Sequence, residues 1–204
     1  MVAKARNRLQ IVAVGEVRHL ARQCMHGQLH VQIADPRAHS FEMRLFGGRA
    51  DQFWMDHDIL LKAKIPVTFG DTKEGAFGIR LNDTLKEAGG SGHYINAEGL
   101  ESGKVWGVTS PWVAIRGAVK DASGDHDVTV AIFAHPSGLN FPPYWHARDY
   151  GLFAVNPFGR KAYDPKAEER TMKLTPGESV HLRYRLSVYS AKVEKTRLDQ
   201  DAKF

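Results

Sequence analysis

Residues 179–189 read SVHLRYRLSVY, an alternation with a period of two. Val180, Leu182, Tyr184, Leu186 and Val188 fall on one side and His181, Arg183, Arg185 and Ser187 on the other, as successive side chains do on an extended chain. That is a half-buried antiparallel strand. Upstream, Ile59, Leu61, Ala63 and Ile65 alternate with Leu60, Lys62 and Lys64, and Phe77, Ile79 and Leu81 alternate with Gly78 and Arg80. Residues 67–69, 105–109, 112–119 and 127–135 read as further strands, and Asp121-Ala122-Ser123-Gly124 has turn chemistry suited to a hairpin between the last two. The strands recur too closely for crossover helices. Helical candidates are residues 82–87, a turn at 165–170, and 190–203, where Ser190 could cap. The predicted fold is therefore all-β, an antiparallel β-sandwich with a short C-terminal helix.

Composition narrows the function. Cys24 is the single cysteine of 204 residues, which leaves histidine and carboxylates as metal ligands and implies no disulfide framework. The longest apolar run, residues 128–134, is far short of the roughly 20 residues that cross a bilayer, and no apolar core follows the basic start cleanly. A soluble, cytoplasmic protein with no membrane contact is expected. The isoelectric point is near 9.3, yet residues 1–49 hold eight Lys/Arg against three Asp/Glu. Residues 50–204 are then balanced at 20 of each sign, so no phosphate-tracking face and no nucleic-acid partner are expected.

Composition also shifts near residue 50. The first 49 residues carry seven Arg, one Lys and no Trp or Tyr, whereas every Trp and Tyr lies beyond. Residues 1–49 are read as an atypical basic segment, either an extension with a strand pair at 9–14 and 29–33 or a stretch not native to the fold, and residues 50–204 as the sandwich domain.

Chemistry concentrates in residues 127–159, DVTVAIFAHPSGLNFPPYWHARDYGLFAVNPFG. His135, Asn140, Tyr144, Trp145, His146, Arg148, Asp149, Tyr150 and Asn156 fall within 22 positions, on segments interrupted by prolines. A loop of this kind can bring His135 and His146 to one end of a sandwich. From residue 50 onward there is no His-x-His pair and no i, i+4 histidine pair, so no metal and no cofactor are expected, and acid/base use of an imidazole is the natural reading. Glu74, between two strands and beside outward-pointing Arg80, is either a solvated turn residue or the matching acid. Trp145, Tyr144, Tyr150 and Phe141 are either core or, in the company of Asn140, Asn156 and Arg148, suited to a sugar, whose C–H face stacks on a ring and whose hydroxyls take polar groups. His93 and Asn96, in the glycine-rich run 89–96, either join that site or form a loop.

The motifs Val67-Thr68-Phe69-Gly70-Asp71-Thr72-Lys73-Glu74-Gly75, Gly78-Ile79-Arg80, Trp106-Gly107, Trp112-Val113, His135-Pro136, Trp145-His146-Ala147-Arg148-Asp149-Tyr150-Gly151, Asn156-Pro157-Phe158-Gly159 and Leu182-Arg183-Tyr184-Arg185 together resemble a bacterial PmoA-like family. That family carries the label methane oxygenase, and the resemblance covers about residues 53–190. It implies a sandwich similar to the galactose-mutarotase supersandwich and a setting in carbohydrate metabolism. Family members carry a further N-terminal stretch with a His-Pro-x-His-Arg-Gly motif. Residues 1–49 hold no such motif, so the resemblance implies a partial sandwich with an unpaired edge, through which a homodimer is expected.

The expected function is binding or conversion of a sugar or keto-sugar by acid/base chemistry. Glu74 with His135 or His146 would be catalytic, and Arg80, Asn140, Trp145, Arg148, Asn156 and His93 would hold the ligand. A non-catalytic carbohydrate-binding module is the second reading, and a metal-dependent oxygenase, following the family label, is the third.

Overall fold

The computed structural model describes residues 40–47, 50–74, 76–122 and 124–204. The strand expected at Ser179–Tyr189, β11, is the middle of a six-stranded antiparallel sheet. On one side it pairs with β2 (Gln52–Lys62) from Ser179↔Lys62 to Tyr189↔Gln52; on the other it pairs with β7 (Gly124–Ala134) from Tyr184↔Ala134 to Tyr189↔Thr129. Beyond β2 lies β1 (Ser40–Gly47), and beyond β7 lie β6 (Trp112–Asp121) and β5 (His93–Asn96). The β6–β7 hairpin closes at Asp121↔Gly124, where the turn chemistry placed it. A three-stranded sheet orders β4 (Phe77–Arg80), β9 (Leu152–Asn156) and β8 (Tyr144–Ala147), and β3 (Val67–Phe69) pairs with β10 (Met172–Leu174).

Alternation decides what lies between the sheets. Leu182, Tyr184 and Leu186 of β11, Val113 and Ile115 of β6, and Val130 and Ile132 of β7 meet Trp145, Phe153, Val155, Phe77 and Ile79 from the smaller sheet in one core. Each fully buried large side chain is worth roughly 1.5–3 kcal/mol, so these facing rows dominate the stability of the sandwich. The outer face of the large sheet is covered as well. Ile95, Trp112, Ala114, Ala131, Phe133 and Tyr189 pack under Leu198 of the helix Lys195–Asp201, α1. Trp112 Nε1 donates to Asp199 Oδ1 at 3.1 Å and the Tyr189 hydroxyl to Asp201 Oδ2 at 2.8 Å, which pins the helix down.

Four local expectations change. Residues 105–109 are not a strand: a 3-10 turn at Ser102–Val105 buries Val105, and Gly107, with φ of 72°, turns the chain out of extension. The glycine-rich run is only partly loop, because it delivers strand β5. A Cβ on Gly92 would lie 2.0 Å from the Leu85 carbonyl oxygen, so the missing side chain is what lets the chain pass there. Residues 82–87 form no more than a 3-10 turn at Asp83–Leu85, with Asn82 Oδ1 accepting from the Thr84 N–H. Ser190 does not cap α1, which starts after Glu194. The strand pair expected at residues 9–14 and 29–33 lies outside the described residues.

Candidate functional site

Because Trp145, Ala147, Phe153, Val155, Phe77 and Ile79 point into the core, their neighbours point outward from the small sheet. Tyr144 and His146 of β8, Ala154 and Asn156 of β9, and Gly78 and Arg80 of β4 share that outer face. The cross-strand row through His146 continues as Ala154 and Gly78, and a Cβ on Gly78 would come within 2.7 Å of the Ala154 Cβ. The imidazole therefore stands beside a low floor.

His146 is held by the segment that follows β3. Its Nδ1 lies 2.6 Å from the Lys73 carbonyl oxygen, which can only accept, so Nδ1 carries the proton. Nε2 is then the unprotonated nitrogen of the neutral ring. Burial lowers the His146 pKa; the bond to Lys73 and the charge of Glu74 push back, and Arg148 and Lys73 lower it. His146 is buried, and the lowered pKa favours the neutral ring near pH 7.

The supporting bonds are dense. The Tyr163 hydroxyl donates to the same Lys73 oxygen at 2.7 Å, and Asn156 Nδ2 donates to the Thr72 oxygen at 2.8 Å and to the Tyr163 oxygen at 3.1 Å. Asn156 Oδ1 accepts from the N–H groups of Phe158 and Gly159. Asp71 accepts backbone N–H bonds from Arg160, Lys161, Ala162 and Arg170 at 2.8–3.1 Å. Burial pushes the Asp71 carboxyl up, but the four N–H groups outweigh it and hold the pKa at about 2.

Aromatic and cationic groups surround the imidazole. Trp106 meets it edge-on at 6.4 Å and meets Tyr163 at 5.6 Å; Tyr163 stacks on Tyr144 at 5.0 Å. The Arg148 guanidinium lies 5.7 Å from the Trp106 ring and 5.8 Å from the Tyr150 ring, and Arg80 lies 5.3 Å from the Tyr150 ring. Tyr150 is 48% exposed, so this ring faces solvent and not the core. Glu74 is exposed, and its charge acts on both His146 and Tyr163. Among the described residues, no group of three or more His, Cys, Asp or Glu side chains is arranged to hold a metal ion.

The sequence model of a family of unknown function, DUF6807, matches residues 21–203. This chain belongs to DUF6807. No curated protein and no solved structure matches it. The DUF6807 match takes in β1 as well as the later strands, so it begins ahead of the compositional shift at residue 50.

Within this DUF6807 chain the expected site residues separate. Glu74, Arg80, His146 and Arg148 come together. His135 does not join them: it follows β7 on the outer face of the large sheet, edge-on to Phe204 at 5.3 Å, with Nδ1 accepting from the Ser137 N–H. The charges that act on it belong to Arg183, Asp58, Asp56 and His181, none of which acts on His146. Alternation puts the two imidazoles on opposite outer faces of the sandwich, which corrects the single-pocket expectation. His93 sits on β5, bonded to Ser102 and paired with Glu101 at 3.2 Å. Trp145 is fully buried and donates to the Ser110 carbonyl, so it is core and stacks on no ligand. Asn140 donates to the Pro157 carbonyl, and Asn156 is fully buried with both amide hydrogens and its oxygen engaged. Trp106, Tyr163 and Asp71 are the residues that sequence reasoning passed over. Trp106 and Asp71 stand in the motifs quoted above, whereas Tyr163 carried no signal.

Proposed function

We propose that this chain binds a sugar or keto-sugar derivative on the outer face of β4, β9 and β8 and acts on it by acid/base chemistry. His146 is the base, Glu74 its acidic partner, Arg80 and Arg148 hold polar substituents, and Trp106 and Tyr150 offer ring faces. The observation that carries the reading is the fixed tautomer of His146, whose Nδ1–H is engaged by the Lys73 carbonyl. Nε2 would take a proton from a hydroxyl, or from the carbon beside a keto group, and the carboxylate of Glu74 would stabilise the imidazolium that forms. The exposed Tyr150 ring beside two guanidinium groups suits the apolar C–H face and polar rim of a sugar ring. The PmoA-like and mutarotase-like resemblance of the motifs points the same way, and we place the protein in the cytoplasm on the same reading.

Titration against a sugar panel, run beside a turnover assay, tests this. Loss of about 10²-fold or more in turnover for His146→Ala and Glu74→Ala, with folding intact, is the expected result. Full activity in both variants overturns the assignment. Saturable binding without product favours the second reading, a carbohydrate-binding module, which the exposed Tyr150 ring also suits. Elemental analysis for stoichiometric copper or iron decides the oxygenase alternative. Self-association through an edge strand of the large sheet is proposed as well, and sedimentation across a concentration range tests it.

A further inference from the structure

We infer that the ligand carries a carboxylate and that Arg80 and Arg148 receive it, an inference that rests on the sugar reading above. Three arginines on β11 and α1 are paired with carboxylates. Arg185 grips Asp56 through two bonds at 2.6 and 2.8 Å, Arg183 lies 3.4 Å from Asp58, and Arg197 lies 2.9 Å from Asp201. Arg80 and Arg148 have no carboxylate partner among the described residues. Asp149, next in sequence to Arg148, is exposed and pairs with neither. Both guanidinium groups instead share one ring, that of Tyr150, at 5.3 and 5.8 Å.

Two guanidinium groups flank one exposed aromatic, and a neutral sugar hydroxyl does not match the charge they carry. An oxyanion does, because the planar fork of a guanidinium fits a carboxylate with two parallel bonds. Trp106, under Arg148, joins this anion position to His146. The ligand therefore spans from a carboxylate at Arg80 and Arg148 to a reacting position at His146 Nε2, which describes a sugar acid.

Matched pairs test the inference: D-glucuronate with D-glucose and D-galacturonate with D-galactose, titrated calorimetrically, with succinate as an anion that has no ring. The acid is expected to bind at least about tenfold more tightly than its neutral partner, the margin between a charge-assisted and a neutral hydrogen bond. Arg80→Gln with Arg148→Gln should bring the acid down to the level of the neutral sugar, and Arg80→Lys with Arg148→Lys should restore part of the margin. Thermal melts confirm that the variants fold. Equal binding of acid and neutral sugar, or a preference that survives the Gln pair, overturns this inference and leaves the sugar reading standing. If succinate binds as well as the uronates, with the same arginine dependence, the anion position stands and the sugar reading falls. Binding of none of these probes overturns both.

Discussion

Tyr163 and His146 converge on one acceptor: the Lys73 carbonyl oxygen takes the tyrosine hydroxyl at 2.7 Å and the imidazole Nδ1–H at 2.6 Å. Tyr163 thereby helps hold the carbonyl that orients the proposed base. Tyr163→Phe is expected to cost about 0.5–1.5 kcal/mol of stability through the lost hydroxyl. It should also change the ¹⁵N shifts that report the His146 tautomer, which a purely structural role would leave in place. Unaltered shifts would show that Tyr163 does not position the imidazole.

Asp71 closes the loop that carries Lys73 by accepting four backbone N–H groups. Asp71→Ala should destabilise the protein by about 2–3 kcal/mol, since it leaves donors without partners, and should weaken activity along with stability. Urea titration measures this. Because the folded pKa is depressed to about 2 from the ordinary 3.8, the contribution is complete above pH 4 and disappears as the pH falls through 2.

His57 lies in the core, 4.6 Å from the Phe77 ring. Burial lowers its pKa to about 4, against the opposing charge of Asp56. Between pH 6.5 and 4 the unfolded chain takes up the proton and the folded chain does not, so stability falls as pH drops through that window. The loss is on the order of 3 kcal/mol. Denaturation midpoints at pH 7 and pH 4.5 should differ accordingly, and His57→Phe should flatten the slope. A wild-type midpoint constant over this window would contradict the depressed value.

His135 faces the opposite side of the sandwich from His146. His135→Ala should therefore leave ligand affinity within about twofold of wild type, as expected of well-separated sites. Calorimetric titration of the variant measures it, and a loss comparable to that of His146→Ala would place both rings in one site after all.

What the sequence revealed follows from which signals are local. Period-two alternation located β11 and the core rows of β2 and β4, because burial of one face is written into neighbouring residues, whereas β7 showed itself as a continuous apolar run buried on both faces. Glu74, Arg80, His146 and Arg148 were named as candidates from residue type, and of these only Arg80 had an outward direction that strand parity could supply. The misassigned residues depended on distant partners. Asn156 looked like a ligand-holding amide until Thr72, Tyr163, Phe158 and Gly159 took its bonds. His135 and His146 lie eleven residues apart in the chain, but only the sheet layering shows that they face away from each other. Tyr163 could not be found at all, because its partner carbonyl is 90 residues upstream.

The strand order of the large sheet has a bearing on biosynthesis. β11, made last among the strands, is the bridge between β2 and β7. Until residue 189 has left the ribosome, the β1–β2 hairpin and the β5–β6–β7 meander are separate flaps, each with a raw edge. The nascent chain must wait for its closing strand, so chaperones that shield open edges during translation, and the rate of synthesis through β11, should govern how much of it reaches the native state.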